Sequence, residues 1–191
     1  IFMALYGAAA KTGSIIVPVN WRSQENEIEY ILRDSSPRLI LAGDEYIDMV
    51  RGIASRLGCE QNVHSFSDRA IEGVFDFGKN HPADLNTNPL DVDADDVSVI
   101  MYTAAVGGTP RGALLSQANI LAVNIAMIDL FGIGENDCNI CFIPLFHIGG
   151  LSMCTAVMQK GGRCVIMDRF EADEALDLID KEKVSIFFSF S

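Results

Sequence analysis

Short β-prone apolar runs alternate with segments of helical period along almost the whole chain, and that alternation constrains the fold more than any other feature. Residues 38–42, RLILA, run apolar after the arginine without a polar break, as a strand buried on both faces does. Residues 97–103, 163–167 and 184–190 are similar runs. Between them lie helical spacings: Ile28, Ile31 and Leu32, then Ile47, Val50, Ile53, Ala54 and Leu57. Strands alternating with helices predict an α/β fold, layered, with largely parallel sheets and flanking helices.

Local signals divide this pattern into elements. The opening stretch IFMALYGAAAKTG reads as the last turns of a helix with Gly13 as its cap. Ser14–Asn20 reads as a short strand, with Pro18 marking an edge. Ser23 caps the next helix and Asp44 opens another, which Gly58 stops. NVHSF is a short strand and Ser67–Phe77 a weaker helix. The polar, Pro- and Asp-rich stretch that follows has no period and reads as an exposed connector. It separates a first α/β half, 1–79, from a second, 97–191, with 80–96 between them. In the second half, Val97–Thr103 and Arg111–Leu115 are strands. Ser116 caps a helix over Gln117–Phe131, which is apolar nearly all round and is therefore expected to be buried. Asn139–Phe142 is a strand, a helix runs to Met158 before Gly161-Gly162, and Asp173–Glu182 is the last helix.

A net charge of −12 with no basic patch disfavours nucleic acid and anionic membrane as partners. Hydrophobic residues make up 49% of the chain, enough for a core, and no run approaches the ~18 apolar residues of a membrane span. Five irregularly spaced cysteines fit a reduced, cytoplasmic setting. Cys138 and Cys141 form a C-x-x-C, but no second cysteine or histidine pair has ligand spacing, so they read as ordinary thiols and no metal site is expected. Both ends are abrupt, as in part of a longer chain.

Residues 102–119, YTAAVGGTPRGALLSQAN, carry the most chemistry. A strand entering a glycine turn can aim successive backbone N–H groups into one concavity, a nest that holds anions. Gly107 and Gly108 permit the required conformations, Arg111 offers a charged fork to phosphate, and Thr103 and Thr109 offer hydroxyls. A plain hairpin has the same outline. The Lys-Ser/Thr pair of a P-loop is replaced by Ala113-Leu114.

The segment resembles the signature loop of the AMP-forming adenylating enzymes, the superfamily of acyl-CoA synthetases, adenylation domains and luciferases. Tyr102, Thr103, Gly108, Pro110, Gly112, Ser116 and Asn119 match in register, and Arg111 stands for the usual lysine. GAAAKTGSIIVPVNWR, EIEYILRDSSPRLILA and IPLFHIGGL resemble further elements of the family in order and spacing, as does the closing helix–strand. The resemblance covers essentially the whole chain. It departs at the loop tip, where Ala104, Ala105, Val106 and Gly107 replace Ser, Gly and two Thr.

The resemblance implies part of the large N-terminal domain of an ATP-dependent acyl-CoA ligase, with the C-terminal domain outside this chain. ATP, Mg2+ and coenzyme A are the implied cofactors and co-substrates, and a fatty or other carboxylic acid is the implied substrate. Residues Thr103–Thr109 and Arg111 would meet the ATP phosphates. Phe146, His147 and Gly149 would line or gate the acyl side. No catalytic residue is assigned within the chain. Without the rest of its domain the chain is expected to be inactive and to self-associate. The altered tip leaves two alternatives: a non-catalytic homologue, or a simple α/β nucleotide-binding module. Away from the resemblance, His147 also fits an ordinary loop histidine, His64 and His81 read as surface residues, and Trp21 as a packing residue.

Overall fold

The computed structural model describes residues 1–65, 75–76, 91–103 and 109–189. The chain divides into two compact units. One takes described residues 19–65, 75–76 and 109–110; the other takes 1–18, 91–103 and 111–189.

Helix α1 spans Phe2–Thr12 and belongs to the larger unit, whereas α2 (Glu25–Ser35), β1 (Ile40–Ala42), α3 (Ile47–Arg56), β2 (Val63–Ser65) and β3 (Phe75–Asp76) belong to the smaller. The strands pair in parallel in the order β1-β2-β3, with Ile40 opposite Val63 and His64 opposite Phe75. Ile28, Leu32, Ile40, Val50, Ile53 and Val63 form the core, each helix giving one stripe. On the outer side Arg56 of α3 reaches Glu25 at 2.7 Å and Glu29 at 2.8 Å on α2. These exposed pairs tie the helices in register but add little stability.

Several boundaries differ from the sequence reading. Gln24, not Ser23, is the cap of α2: its N–H donates to Glu27 Oε2 at 2.9 Å. Asp44 lies in a turn, and α3 begins at Ile47. Phe75–Asp76 is a strand rather than the end of a helix, and the remainder of Ser67–Phe77 lies outside the described residues. His64 is half-buried within β2 rather than on the surface. Trp21 is exposed, with the Arg22 guanidinium 4.6 Å from its ring centre. His81 lies outside the described residues.

The larger unit is built on two sheets. Strands β4 (Val97–Thr103) and β5 (Arg111–Ser116) form an antiparallel pair. Strands β6 (Cys138–Cys141), β7 (Arg163–Ile166) and β8 (Ile186–Phe187) form a parallel sheet in the order β7-β6-β8. Helix α5 (Ile148–Gln159) covers one face, where Met153 and Val157 meet Cys164 and Ile186. Helix α6 (Ala172–Glu182) covers the other, where Ala175, Leu178 and Ile179 meet Ile140 and Val165. Apart from the antiparallel β4–β5 pair the sheets are parallel, so the fold is layered α/β with largely parallel sheets, as the alternating pattern predicts.

Residues 1–18 join this larger unit instead of the first half. Tyr6 of α1 packs with Val99, Met101 and Leu151, and Gly13 caps α1 in the left-handed region at φ 63°. Ser14–Asn20 forms no full strand: Ile16 alone bridges Val99 in parallel. A proline at 18 withholds the N–H that would extend the ladder.

The helix α4 (Gln117–Phe131) is the largest departure. Of its residues only Ile120 and Asn124 are buried, while Leu121, Val123, Ile125, Leu130 and Phe131 are exposed. Uniform apolarity gives a helix no preferred face, so composition alone did not locate the side that packs. On the packed side Ile120 is buried, Met127 and Ile128 pack against the cluster of Met153 and Val157, and the Asn124 amide donates to Gln159 Oε1 at 3.0 Å while its oxygen accepts from Thr155 Oγ1 at 2.9 Å on α5.

Candidate functional site

Strands β4 and β5 lie on either side, in sequence, of residues 104–110, the expected phosphate loop. Thr103 pairs with Arg111 at the end of the ladder, and the Thr103 hydroxyl donates to the Arg111 carbonyl at 3.4 Å. Both residues are exposed, as is Thr109. The structure thus brings Thr103 and Arg111 together at the mouth of the hairpin. Ala104, Ala105, Val106, Gly107 and Gly108 lie outside the described residues.

Other residues of the same segment are occupied structurally. Gly112 lies opposite Tyr102, and a Cβ there would come within 2.7 Å of Ile100 Cγ2 and 3.2 Å of the Tyr102 ring. Glycine at 112 lets the tyrosine lie across the strand. Ser116 and Asn119 form a reciprocal cap: Asn119 N–H donates to Ser116 Oγ at 3.2 Å, and Ser116 N–H donates to Asn119 Oδ1 at 3.0 Å. Two further N-terminal donors of α4, on Gln117 and Ala118, are taken by the carbonyls of Asp96 and Ala94. Sequence reasoning had matched Asn119 without giving it this work. The S-x-x-N spacing before an apolar run was the available signal.

The acyl-side residues follow β6. At the carboxyl end of this parallel strand, residues 142–147 turn into α5, the position where open α/β sheets place ligands. His147 occupies the cap position of α5 in extended conformation, φ −98° and ψ 141°, and its side chain makes no cap bond. Its N–H donates to the Pro144 carbonyl at 3.0 Å, and its carbonyl accepts from Leu151 N–H at 3.1 Å. The imidazole is exposed, with the Phe146 ring centre 5.1 Å away. Gly149 is half-buried in the first turn. Gly150 is buried, and a Cβ there would meet the carbonyl oxygens of Ile143 and Pro144, each at 2.7 Å. Close approach of helix to backbone, not a ligand, explains this glycine. The recess beside it, lined by Ile143, Gly149, Gly150 and Phe188 among others, has no room for a water molecule and so none for an acyl chain.

The C-x-x-C does not converge. Cys138 and Cys141 sit three apart in β6, so strand alternation sends them to opposite faces of the sheet. All five cysteines are free thiols, and among the described residues no group of three or more Cys, His, Asp or Glu is placed to hold a metal ion. Among them also, no helix is long and apolar enough to cross a membrane.

A comparison with known proteins fits this geometry. The fatty acid–[acyl-carrier-protein] ligase ScoC of Streptomyces coeruleorubidus is 32% identical over 179 residues, covering 92% of this chain and 33% of that protein. The indoleacetate–CoA ligase of Aromatoleum aromaticum is 27% identical over 192 residues, covering 96% and 36% respectively. A crystal structure from Rhodopseudomonas palustris, provisionally named a long-chain-fatty-acid CoA ligase, matches with TM-score 0.91 and 34% identity. That match covers 100% of this chain and 47% of the other. The chain spans about a third of the length of the curated relatives it matches. The AMP-binding enzyme family model matches residues 2–191, and the chain belongs to that family.

Proposed function

We propose that this chain is the N-terminal part of an ATP-dependent acid–thiol ligase, which joins a carboxylic acid to a thiol through an acyl-adenylate. The observation that carries the reading is the family match along residues 2–191, together with the free chemistry left at the strand ends. Thr103 and Arg111 flank the loop at the mouth of the hairpin, and His147 stands exposed at the carboxyl end of β6. In the reaction a carboxylate oxygen attacks the α-phosphorus of ATP and pyrophosphate leaves. A thiol then attacks the acyl carbon and AMP leaves. Alignment of two anions is the main obstacle, so the protein's task is positioning and charge neutralisation. Arg111 supplies a fixed positive charge and a two-pronged donor for phosphate oxygens. The N–H groups of 104–108 would form the anion nest, and His147 would meet the carboxylate or gate the acyl side. Mg2+ would neutralise the nucleotide's charge. Among the described residues no cluster is placed to hold it.

The acid is fatty or aromatic by analogy with the relatives, and the accepting thiol is coenzyme A or a carrier-protein thiol, since relatives of both kinds match. The site of action is the cytoplasm on this reading. Acid-dependent exchange of labelled pyrophosphate into ATP by the full-length protein tests it. Exchange with fatty or aryl acids is the expected result. No exchange with any acid, at full ATP occupancy, would overturn it. A second reading rests on Ala104, Val106 and Gly107, which lack the hydroxyls usual at the tip. It is a non-catalytic homologue, and that protein would show no exchange and would bind ATP weakly or not at all.

A further inference from the structure

Three of the five thiols meet under α5, on the sheet face away from α6. In β6, Asn139 and Cys141 point to the same face, and Asn139 is paired in register with Cys164 of β7. Cys154 of α5 lies above them with no exposed surface. The Asn139 amide donates to both sulfurs, at 3.9 Å to Cys154 Sγ and 4.0 Å to Cys164 Sγ. The Cys154 and Cys164 sulfurs thus share one amide donor between α5 and the sheet, and Cys141 Sγ reaches the Gly150 carbonyl of the same helix at 4.0 Å. Cys164 Sγ also lies 3.6 Å from the Cys154 carbonyl. Nothing in the proposed ligase chemistry uses these groups.

Exposure separates them. Cys141 is 4% exposed and Cys154 is 0%, whereas Cys164 is only half-buried. A small oxidant therefore meets Cys164 first, and Cys154 can be reached only from within. We propose that Cys164 and Cys154 form a peroxide-oxidisable pair that closes to a disulfide between β7 and α5. Hydrogen bonding from Cys154, helped by Asn139 and opposed by burial, holds the Cys164 thiol below the ordinary cysteine range. That favours the nucleophilic thiolate. Cys164 Sγ attacks one oxygen of hydrogen peroxide: an S–O bond forms, the O–O bond breaks, and the departing hydroxide takes the Cys164 proton as water. Cys154 Sγ then attacks the sulfenic sulfur: the S–S bond forms, the S–O bond breaks, and the second hydroxide leaves as water with the Cys154 proton. Two thiols give up two electrons, and one peroxide becomes two waters. The bond fastens to the sheet the helix that begins immediately after His147.

The test treats the folded protein with hydrogen peroxide, blocks remaining thiols under denaturing conditions, and maps peptides by mass spectrometry. The expected result is loss of two titratable thiols per chain and a Cys154–Cys164 cross-link reversed by dithiothreitol. Cys164→Ser should abolish every cross-link to Cys154, and Cys141→Ser should leave the bond intact. A Cys141–Cys154 cross-link in the wild type would overturn the assignment. So would Cys164 driven to sulfinic acid with Cys154 still free, or both thiols surviving peroxide unchanged. The wild-type peptide map decides even where a variant folds poorly.

Discussion

Replacing Gly150 with alanine should destabilise the larger unit, although alanine is the better helix former. The new methyl would lie 2.7 Å from the carbonyl oxygens of both Ile143 and Pro144, and 3.1 Å from the Pro144 carbonyl carbon. These are backbone atoms at the end of β6, not side-chain ends that can rotate away. Overpacking typically costs about 1–3 kcal/mol, and two rigid carbonyl contacts place this one in the upper half, about 2–3 kcal/mol; against a helix-propensity gain of about 1 kcal/mol the net loss is roughly 1–2 kcal/mol. For a domain of this size that lowers Tm by about 2–8 °C. Gly7→Ala is the matched control. Gly7 is also inside a helix, but nothing lies within 4 Å of its added Cβ. There the same change should stabilise by about 0.5–1 kcal/mol, since only the entropy of the unfolded glycine is lost. Differential scanning calorimetry of both variants gives the two signs. If Gly150→Ala melts at or above the wild type, the carbonyl approach at the head of α5 is not the reason for the glycine.

Asn124→Ala removes the bonds to Gln159 and Thr155 at a buried position and should cost about 1–3 kcal/mol in urea unfolding. Ser116→Ala loses the cap to Asn119 and should cost about 0.5–2 kcal/mol by the same assay. Asp137 accepts from Ser185 Oγ and from Gly134 N–H, each at 2.7 Å, and these bonds, the serine's first, hold its carboxyl below the usual 3.8. The folded value being the lower one, this contribution is complete above the ordinary aspartate range and is lost as pH falls through the folded value. Asp137→Asn should therefore flatten the acid limb of the stability–pH curve, and an unchanged limb would contradict the linkage. In the full-length protein, Arg111→Ala should weaken ATP binding roughly 10- to 150-fold, the range for losing a charge-assisted bond, with Tm unchanged because the side chain is exposed. Calorimetric titration reads the affinity.

How much of this the sequence revealed follows from the type of signal. Strand–helix order was legible because periodicity survives any later packing: β4, β5, α4 and α6 fall within a residue of their expected bounds. Cap positions were legible where one residue type dominates, as at Gly13 and Ser116. They were missed where a longer side chain did the work, as at Gln24. Which face of α4 is buried was not legible, because apolar residues occur on every side and the packed one is marked by Asn124 meeting a threonine and a glutamine 31 and 35 residues away, with Met127 and Ile128 beside it. The division into units was misjudged at residues 1–18 for the same reason: Tyr6 finds Val99 and Leu151 only in three dimensions. The thiol cluster was hidden because the visible C-x-x-C drew attention to Cys138, which strand alternation turns away from the other thiols.

The motif residues themselves separate into two kinds once their partners are known. Gly112 gives room to Tyr102, Ser116 and Asn119 cap α4, Gly150 admits two carbonyls, and Leu151 is fully buried beside Met101. Each of these would be required by the fold even if no nucleotide ever bound, so their presence in register argues for the architecture and not for catalysis. Thr103, Thr109, Arg111 and His147 are different: all are exposed, and the His147 side chain makes no cap bond to α5. Exposed polar side chains without such a task are consistent with the ligand roles proposed for them. The tip substitutions fall between these two groups. Restoring Ala104→Ser, Val106→Thr and Gly107→Thr together returns hydroxyls without touching any of the fold-bearing positions. A gain in ATP affinity with Tm unchanged would then locate the deficit in phosphate contacts alone. An unchanged affinity would mean that backbone donors and Arg111 already supply what the nucleotide needs.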